Sequence, residues 1–301
     1  MSTEALDSFV RASAVLGHRL RGIRRAAASQ APILILGAAG TGRSSLVRAI
    51  HLSSPRRRGP LVEVDAAGVP TSLFESDLFG YEAGAFTGAD QASDGRVSRA
   101  AGGTLVLDHV EELPLAVQPK LLRLIAEHRY TPLGGEELPA QVRFVATSIE
   151  DLPERVRRGA FRQDLFYRLE VLAFRLPRLR DRREDLPDLV TSILADLGER
   201  FERPGLEISP RALGWMGRYS WPGNIRQLRN LLERALVMAE GPVLDPEAPR
   251  EEGPPESLAE LEKRHLARAL AYTRGNQSRA AEILGISRKA LWEKRRRFGL
   301  P

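Results

Sequence analysis

The sequence predicts an α/β fold: a parallel, three-layer core, a small all-helical segment behind it, and a separate all-α domain at the C-terminal end. Three observations carry this. Short apolar runs at residues 33–36, 61–64, 104–107 and 142–146 alternate with helical stretches, the pattern of strands covered on both faces. After Leu176-Pro177 the pattern turns helical, over 185–201, 210–218 and 225–240, and Asn224 can cap the last of these after Trp221-Pro222-Gly223. Finally, of a net charge of +6, residues 257–301 hold 11 Lys/Arg against 4 Glu, while the rest is near balance at 34 against 35. A neutral body with a basic end points to nucleic-acid contact by that end.

The 301 residues, 43% of them hydrophobic, suffice for one ordinary core and one or two smaller units. Cysteine is absent, which excludes disulfides and thiolate metal sites, and His18, His51, His109, His128 and His265 show no ligand spacing. No structural metal is expected. The opening Met1-Ser2-Thr3-Glu4 lacks the basic start and apolar stretch of a signal peptide, and no apolar run nears the length of a membrane span. A cytoplasmic location without membrane contact is expected. Residues 241–256 carry Pro242, Pro246, Pro249, Pro254 and Pro255 among acidic residues, a composition expected to run extended as a linker. The expected domains are thus 1–176 (core), 177–240 (helical lid), 241–256 (linker) and 257–301 (basic domain).

The apolar run 33–36 leads directly into Gly37-Ala38-Ala39-Gly40-Thr41-Gly42-Arg43-Ser44-Ser45. A triphosphate needs backbone N–H groups converging on it with a helix start behind them, and glycines where the chain turns tightly. Gly37, Gly40 and Gly42 supply the turns, so residues 37 and 40–45 are the candidate ATP-binding segment. The motif ordinarily places Lys where this chain has Arg43. A guanidinium is bulkier and planar, able to bind phosphate through its fork but poorly shaped to place a point charge for transfer. The Ser44 hydroxyl, with Asp108 at the end of the third apolar run, is the candidate Mg²⁺ site.

Between these two halves lies Gly84-Ala85-Phe86-Thr87-Gly88-Ala89. The order phosphate loop, GAFTGA, strand-plus-carboxylate resembles the AAA+ transcription activators that remodel RNA polymerase carrying sigma-54. The resemblance implies an AAA+ P-loop core with a helical lid, and a GAFTGA loop, residues 84–89, that touches the sigma factor. It also implies that Arg162 and Arg168, in Phe161-Arg162-Gln163-Asp164-Leu165-Phe166-Tyr167-Arg168, reach the neighbouring subunit's nucleotide as arginine fingers. Arg226, after Trp221-Pro222-Gly223-Asn224-Ile225, is implied to sense the nucleotide within its own subunit. Such proteins assemble as dimers that close into a ring. The first strand begins at Ile33, leaving less chain in front than the sensory domain of many members needs, so the input signal is expected to arrive by another route.

Four positions depart from the family pattern. Arg43 stands for Lys; His109 for the Glu that polarises water; Asp65 for the Asn that contacts that Glu; Ser148 for the sensor Asn. The Asp65/His109 exchange keeps a hydrogen bond available. Either the two form a base dyad, with Asp65 orienting His109, or they form a structural lock and hydrolysis is slow or absent. The second is preferred, because Arg43 is altered too. Glu111 is a third source of a carboxylate, poorly placed two residues further along.

In the basic end, Ser257 with Glu260 makes a capping box, and Leu258, Leu261, Leu266 and Leu270 form a stripe that can pair with a copy of itself. Gly275-Asn276, Gly285 and Ser287 then delimit a helix over 277–284 and a last one over 288–298. This spacing is similar to that of Fis-type helix-turn-helix domains. Arg288, Lys289, Trp292 and Glu293 would face base edges, and Lys294, Arg295, Arg296 and Arg297 phosphates. The expected function is a DNA-bound, ATP-binding regulator of sigma-54 promoters. The alternatives are a non-hydrolysing partner subunit in a ring shared with a paralogue, or a DNA-binding regulator that leaves sigma-54 alone.

Overall fold

The computed structural model describes residues 4–11, 13–149, 151–249, 258–273 and 275–300. It divides into two compact units, Met1–Ala248 and Pro249–Pro301.

The first unit is built on five parallel strands: β1 (Ile33–Leu36), β2 (Leu61–Asp65), β3 (Thr104–Asp108), β4 (Arg143–Ser148) and β5 (Leu172–Arg175), in the order β2-β3-β4-β1-β5. β1 and β4 are buried at every residue, as strands between two helical layers must be. On one face Phe74, Leu78, Leu121, Leu124 and Leu165 pack against Leu105, Leu107 and Phe144; on the other, Ile23, Leu46 and Ile50 pack against Ile33, Ile35 and Val145. The strands run slightly further than the apolar runs alone suggest. That extension matters, because it places Asp65 beside Asp108 and Leu36 beside Ser148 at the carboxyl ends of neighbouring strands, the edge where α/β sheets hold ligands. The edge strand β5 is one that the apolar runs do not mark. Only Phe174 is buried in it, so its residues lack the continuous apolar stretch of the interior strands.

The lid comprises helices Leu186–Arg200, Pro210–Met216 and Asn224–Met238, closed around Trp221, Met216, Leu228 and Leu232. Trp221 stacks near Trp215 at 6.1 Å and meets Tyr219 edge-on at 5.1 Å, and its indole N–H donates to the Met216 carbonyl at 2.9 Å. Two sequence expectations fail here. Asn224 does not cap its helix: its backbone is left-handed at φ 51°, and its side chain is drawn to the core, as described below. Nor is the linker as long as expected. Val243–Leu244 pairs with Glu207–Ile208, Leu244 is fully buried, and Arg211 pairs with Asp245 at 2.7 Å. An apolar dipeptide inside the proline-rich stretch was enough to anchor it to the lid.

Among its described residues the second unit has three helices, Leu258–Tyr272, Gln277–Ile283 and Arg288–Phe298. Asn276 and Ser287 cap the last two, accepting from Arg279 N at 3.2 Å and Ala290 N at 3.1 Å. Leu266 and Leu270 are buried with Ala280, Ala281 and Leu291 in the unit's own core, so that half of the leucine stripe packs at home rather than against a second copy. The capping-box Ser257 lies outside the described residues. No helix among them is long and apolar enough to cross a membrane.

Candidate functional site

The phosphate loop leaves β1 at Gly37, whose N–H donates to the Ser148 carbonyl at 3.0 Å, and ends at Gly42, left-handed at φ 106°, where helix Arg43–Leu52 starts. The first-turn N–H groups of a helix have no partner within it and face the loop. Gly40 is required: it is left-handed, and a Cβ there would meet the Gly223 carbonyl at 2.3 Å. Three successive loop carbonyls are held from the lid side. Asn224 Nδ2 donates to Ala39 O at 2.9 Å, Ile225 N to Gly40 O at 2.9 Å, and Arg182 Nη2 to Thr41 O at 2.8 Å. In a trans peptide C=O and N–H point in opposite directions, so fixing carbonyls 39 and 41 turns the N–H groups of Gly40 and Gly42 away from the lid. The loop is thereby shaped for an anion. Beside it lies a cavity of about 260 Å³ lined by Val15, Arg19, Gly37, Ala38, Ile149 and Arg178, among others.

Arg43 does not reach into open space. Its side chain is 7% exposed; Nη1 donates to the Gly37 carbonyl at 2.6 Å and Nη2 to His109 Nε2 at 3.0 Å, with Asp108 Oδ1 3.6 Å away. A guanidinium only donates, so Nε2 must accept and the ring proton sits on Nδ1, from which it is donated to Asp65 Oδ1 at 2.7 Å. The expected Asp65–His109 contact is therefore present, and Arg43 closes it at the other end. His109 is left-handed at φ 53°, held by its N–H donating to Asp108 Oδ1 at 3.1 Å. The Thr147 hydroxyl donates to the same oxygen.

Asp108 and Ser44 carry oxygens of the hard kind that Mg²⁺ takes; of the Asp108 carboxylate, Oδ1 is already engaged by the His109 N–H and the Thr147 hydroxyl. Asp65, Asp108 and His109 also cluster closely enough to suggest a metal, but the charge next to them is Arg43. Glu111 is buried, with Oε1 accepting from Ile149 N at 2.9 Å, so that oxygen is committed to the backbone. Ser148 is fully buried at the end of β4. Arg226 is exposed, its Cβ close to Gly40.

Arg162 stands at the N-cap position of helix Gln163–Leu169 without a side-chain capping bond and forks onto Asp164 at 2.7 and 3.0 Å, which raises its already high pKa through that hydrogen bond. Arg168 donates to the Ala126 carbonyl at 3.2 Å. Both lie at the surface. The GAFTGA segment is a pinched loop: Gly84 N donates to Ala89 O at 2.8 Å and Ala89 N to Phe86 O at 3.0 Å, with Gly84 and Gly88 at φ 80° and 96°. Phe86 is partly exposed and meets Tyr81 edge-on at 4.9 Å, Ala85 sits against Gly134, and Thr87 is at the open tip.

In the second unit, helix Arg288–Phe298 buries Leu291 and exposes Arg288, Lys289, Trp292, Glu293, Arg296 and Arg297. The Arg296 guanidinium lies 5.7 Å from the Trp292 ring centre. Lys294 pairs with Glu262, and Arg295 is half-buried, so these two are turned further inward than a phosphate role asks. Sequence reasoning missed Arg182 and Thr147. Nothing in the run Arg178-Leu179-Arg180-Asp181-Arg182-Arg183 tells which arginine is buried.

Residues 9–175 match the sigma-54 interaction domain, residues 180–255 an AAA+ ATPase lid domain, and residues 257–298 the Fis family of bacterial regulatory proteins. The chain is 42% identical over 294 residues to the regulatory protein AtoC of Escherichia coli K12, covering 91% of this chain and 64% of that one. It is 42% identical over 291 residues to the transcriptional regulatory protein ZraR of Klebsiella oxytoca, covering 91% and 65%. It thus spans just under two thirds of the length of these relatives. Among solved structures it is similar to NtrX from Brucella abortus in complex with ATP, with a TM-score of 0.75 and 33% identity, over 96% of this chain and 68% of that chain.

Proposed function

The chain belongs to the family of regulators that carry a sigma-54 interaction domain, and we propose that it acts as a DNA-bound, ATP-binding regulator of transcription by sigma-54 RNA polymerase. The observation that carries this reading is the exposed, pinched GAFTGA loop, residues 84–89, on the same packed unit as a phosphate loop whose backbone is shaped for an anion. Bound ATP and Mg²⁺ would supply the charge to which this site responds. The loop N–H groups and Arg43 hold phosphate, Ser44 and Asp108 hold the cation, and the cavity beside Ala38 and Arg178 takes the rest of the nucleotide. Arg226 reads the nucleotide from the lid, and Arg162 and Arg168 serve a neighbour in a ring assembled from dimers. DNA is held by the exposed face of helix Arg288–Phe298. Calorimetry with ATP and a non-hydrolysable analogue, together with a sigma-54 association assay, tests the reading. Heat of binding is expected, together with sigma-54 association that Thr87→Val abolishes; no heat and no association under any nucleotide condition overturn it.

A second reading concerns turnover, and Arg43 bonded to His109 favours it. The subunit binds ATP, hydrolyses it weakly, and lends its fingers and loop to a ring shared with a competent paralogue. A turnover of about 1 s⁻¹ or above for the isolated protein overturns this reading.

A further inference from the structure

Three of the four departures of the site are not independent in space. Arg43, His109 and Asp65 form one continuous chain of donors and acceptors from the start of the phosphate loop, at the Gly37 carbonyl, to the end of β2. Both arms of the buried guanidinium fork are engaged within it: Nη1 donates to the Gly37 carbonyl and Nη2 to His109, with Asp108 Oδ1 3.6 Å away. A buried cation without such partners would be costly. Two features hold it in place. The left-handed backbone of His109, uncommon for a residue with a side chain, is anchored by its N–H on Asp108. Asp65, at 2.7 Å from Nδ1, sets the ring proton away from Arg43.

Resting on the reading of residues 37–44 as a triphosphate site, we propose that Arg43, His109 and Asp65 form a latch, in which Arg43 is the positioning residue. In the closed latch Arg43 occupies the Nε2 lone pair, so His109 has no lone pair to offer a water molecule. To turn both arms of its fork onto a phosphate, Arg43 must leave both the Gly37 carbonyl and His109. The latch therefore competes with the phosphate for the same guanidinium. The apparent affinity for a triphosphate is reduced by the fraction of molecules in which the latch is open. It also couples two of the departures. Arg43 finds an acceptor in Nε2 of His109, and His109 is held in one tautomer because a pure donor faces it.

Two measurements on the full chain test this. The first is the ring-nitrogen spectrum of the ¹⁵N-histidine protein without nucleotide, the His109 signals being identified by their loss in His109→Asn. Asn suits the left-handed backbone and keeps the fold. A protonated Nδ1 with a bare Nε2 is expected, and this signature should change in Arg43→Lys; a proton on Nε2 overturns the latch. The second is the affinity for a non-hydrolysable ATP analogue in a double-mutant cycle. His109→Asn should bind it about ten-fold more tightly, the scale of one charge-assisted hydrogen bond released, and should change nothing in the Arg43→Lys background. Equal effects in both backgrounds overturn the gating by Arg43 alone. No heat in any variant overturns the nucleotide reading, and the gating with it.

Discussion

His109 illustrates what a single residue's surroundings decide. The pairing of Asp65 with His109 was legible from sequence, because the two exchanges compensate chemically, but the third member was not. Arg43 reads as a phosphate ligand in a motif, and only the fold shows its fork turned onto Gly37 and His109. Two other buried residues make predictions at this scale. His51, donor or acceptor to the Thr104 hydroxyl at 2.9 Å, is kept below the ordinary imidazole value of 6.5 by burial. As the pH falls through that value the unfolded chain takes up a proton that the folded chain refuses, so stability drops on acidification. Urea titrations from pH 7.5 to 5 should show this slope, and His51→Gln should flatten it. Arg143, whose pKa burial pushes down to about 10, donates to the Ala26 and Ala27 carbonyls at 2.6 and 2.7 Å, at the C-terminal end of helix Ile23–Ala28. Arg143→Met removes the donor to the Ala27 carbonyl, while Ala26 keeps its bonds from Ser29, and should cost about 2 kcal/mol in the same titration.

Elements were legible where their determinants are local. Interior strands announce themselves as apolar runs, and the last two helices of the basic unit by Asn276 and Ser287, whose side chains act within three residues. The failures share the opposite cause. Asn224 carries a capping residue's chemistry, but Leu179 N and Ala39 O compete for its side chain and win. β5 is half-exposed, and Leu244 is one buried residue among prolines. At this scale the GAFTGA loop should behave as a closed unit. Phe86→Ala removes its packing on Tyr81, worth about 1 kcal/mol, and should abolish sigma-54 association while leaving nucleotide affinity unchanged in calorimetry. For helix Arg288–Phe298, Arg296→Ala should weaken binding to every DNA sequence and reduce the salt slope by about one, whereas Arg288→Ala should alter sequence preference. Like behaviour of the two, measured by fluorescence anisotropy across salt and sequence, would remove the groove assignment.

For the whole molecule, the division at Ala248 predicts two separable activities. A chain ending there retains the full sheet, the lid and Leu244, and should bind nucleotide as the full chain does while losing DNA affinity. Calorimetric melting of the full chain should show two transitions, one of which disappears in the truncated form. Within the first unit there is no such separability. Since Ala39, Gly40 and Thr41 are each tied by a hydrogen bond to residues at the lid, the joint between loop and lid has no backlash. A displacement of the loop would be handed by these three bonds to Arg182, Asn224 and Ile225, much as a rocker arm follows its cam.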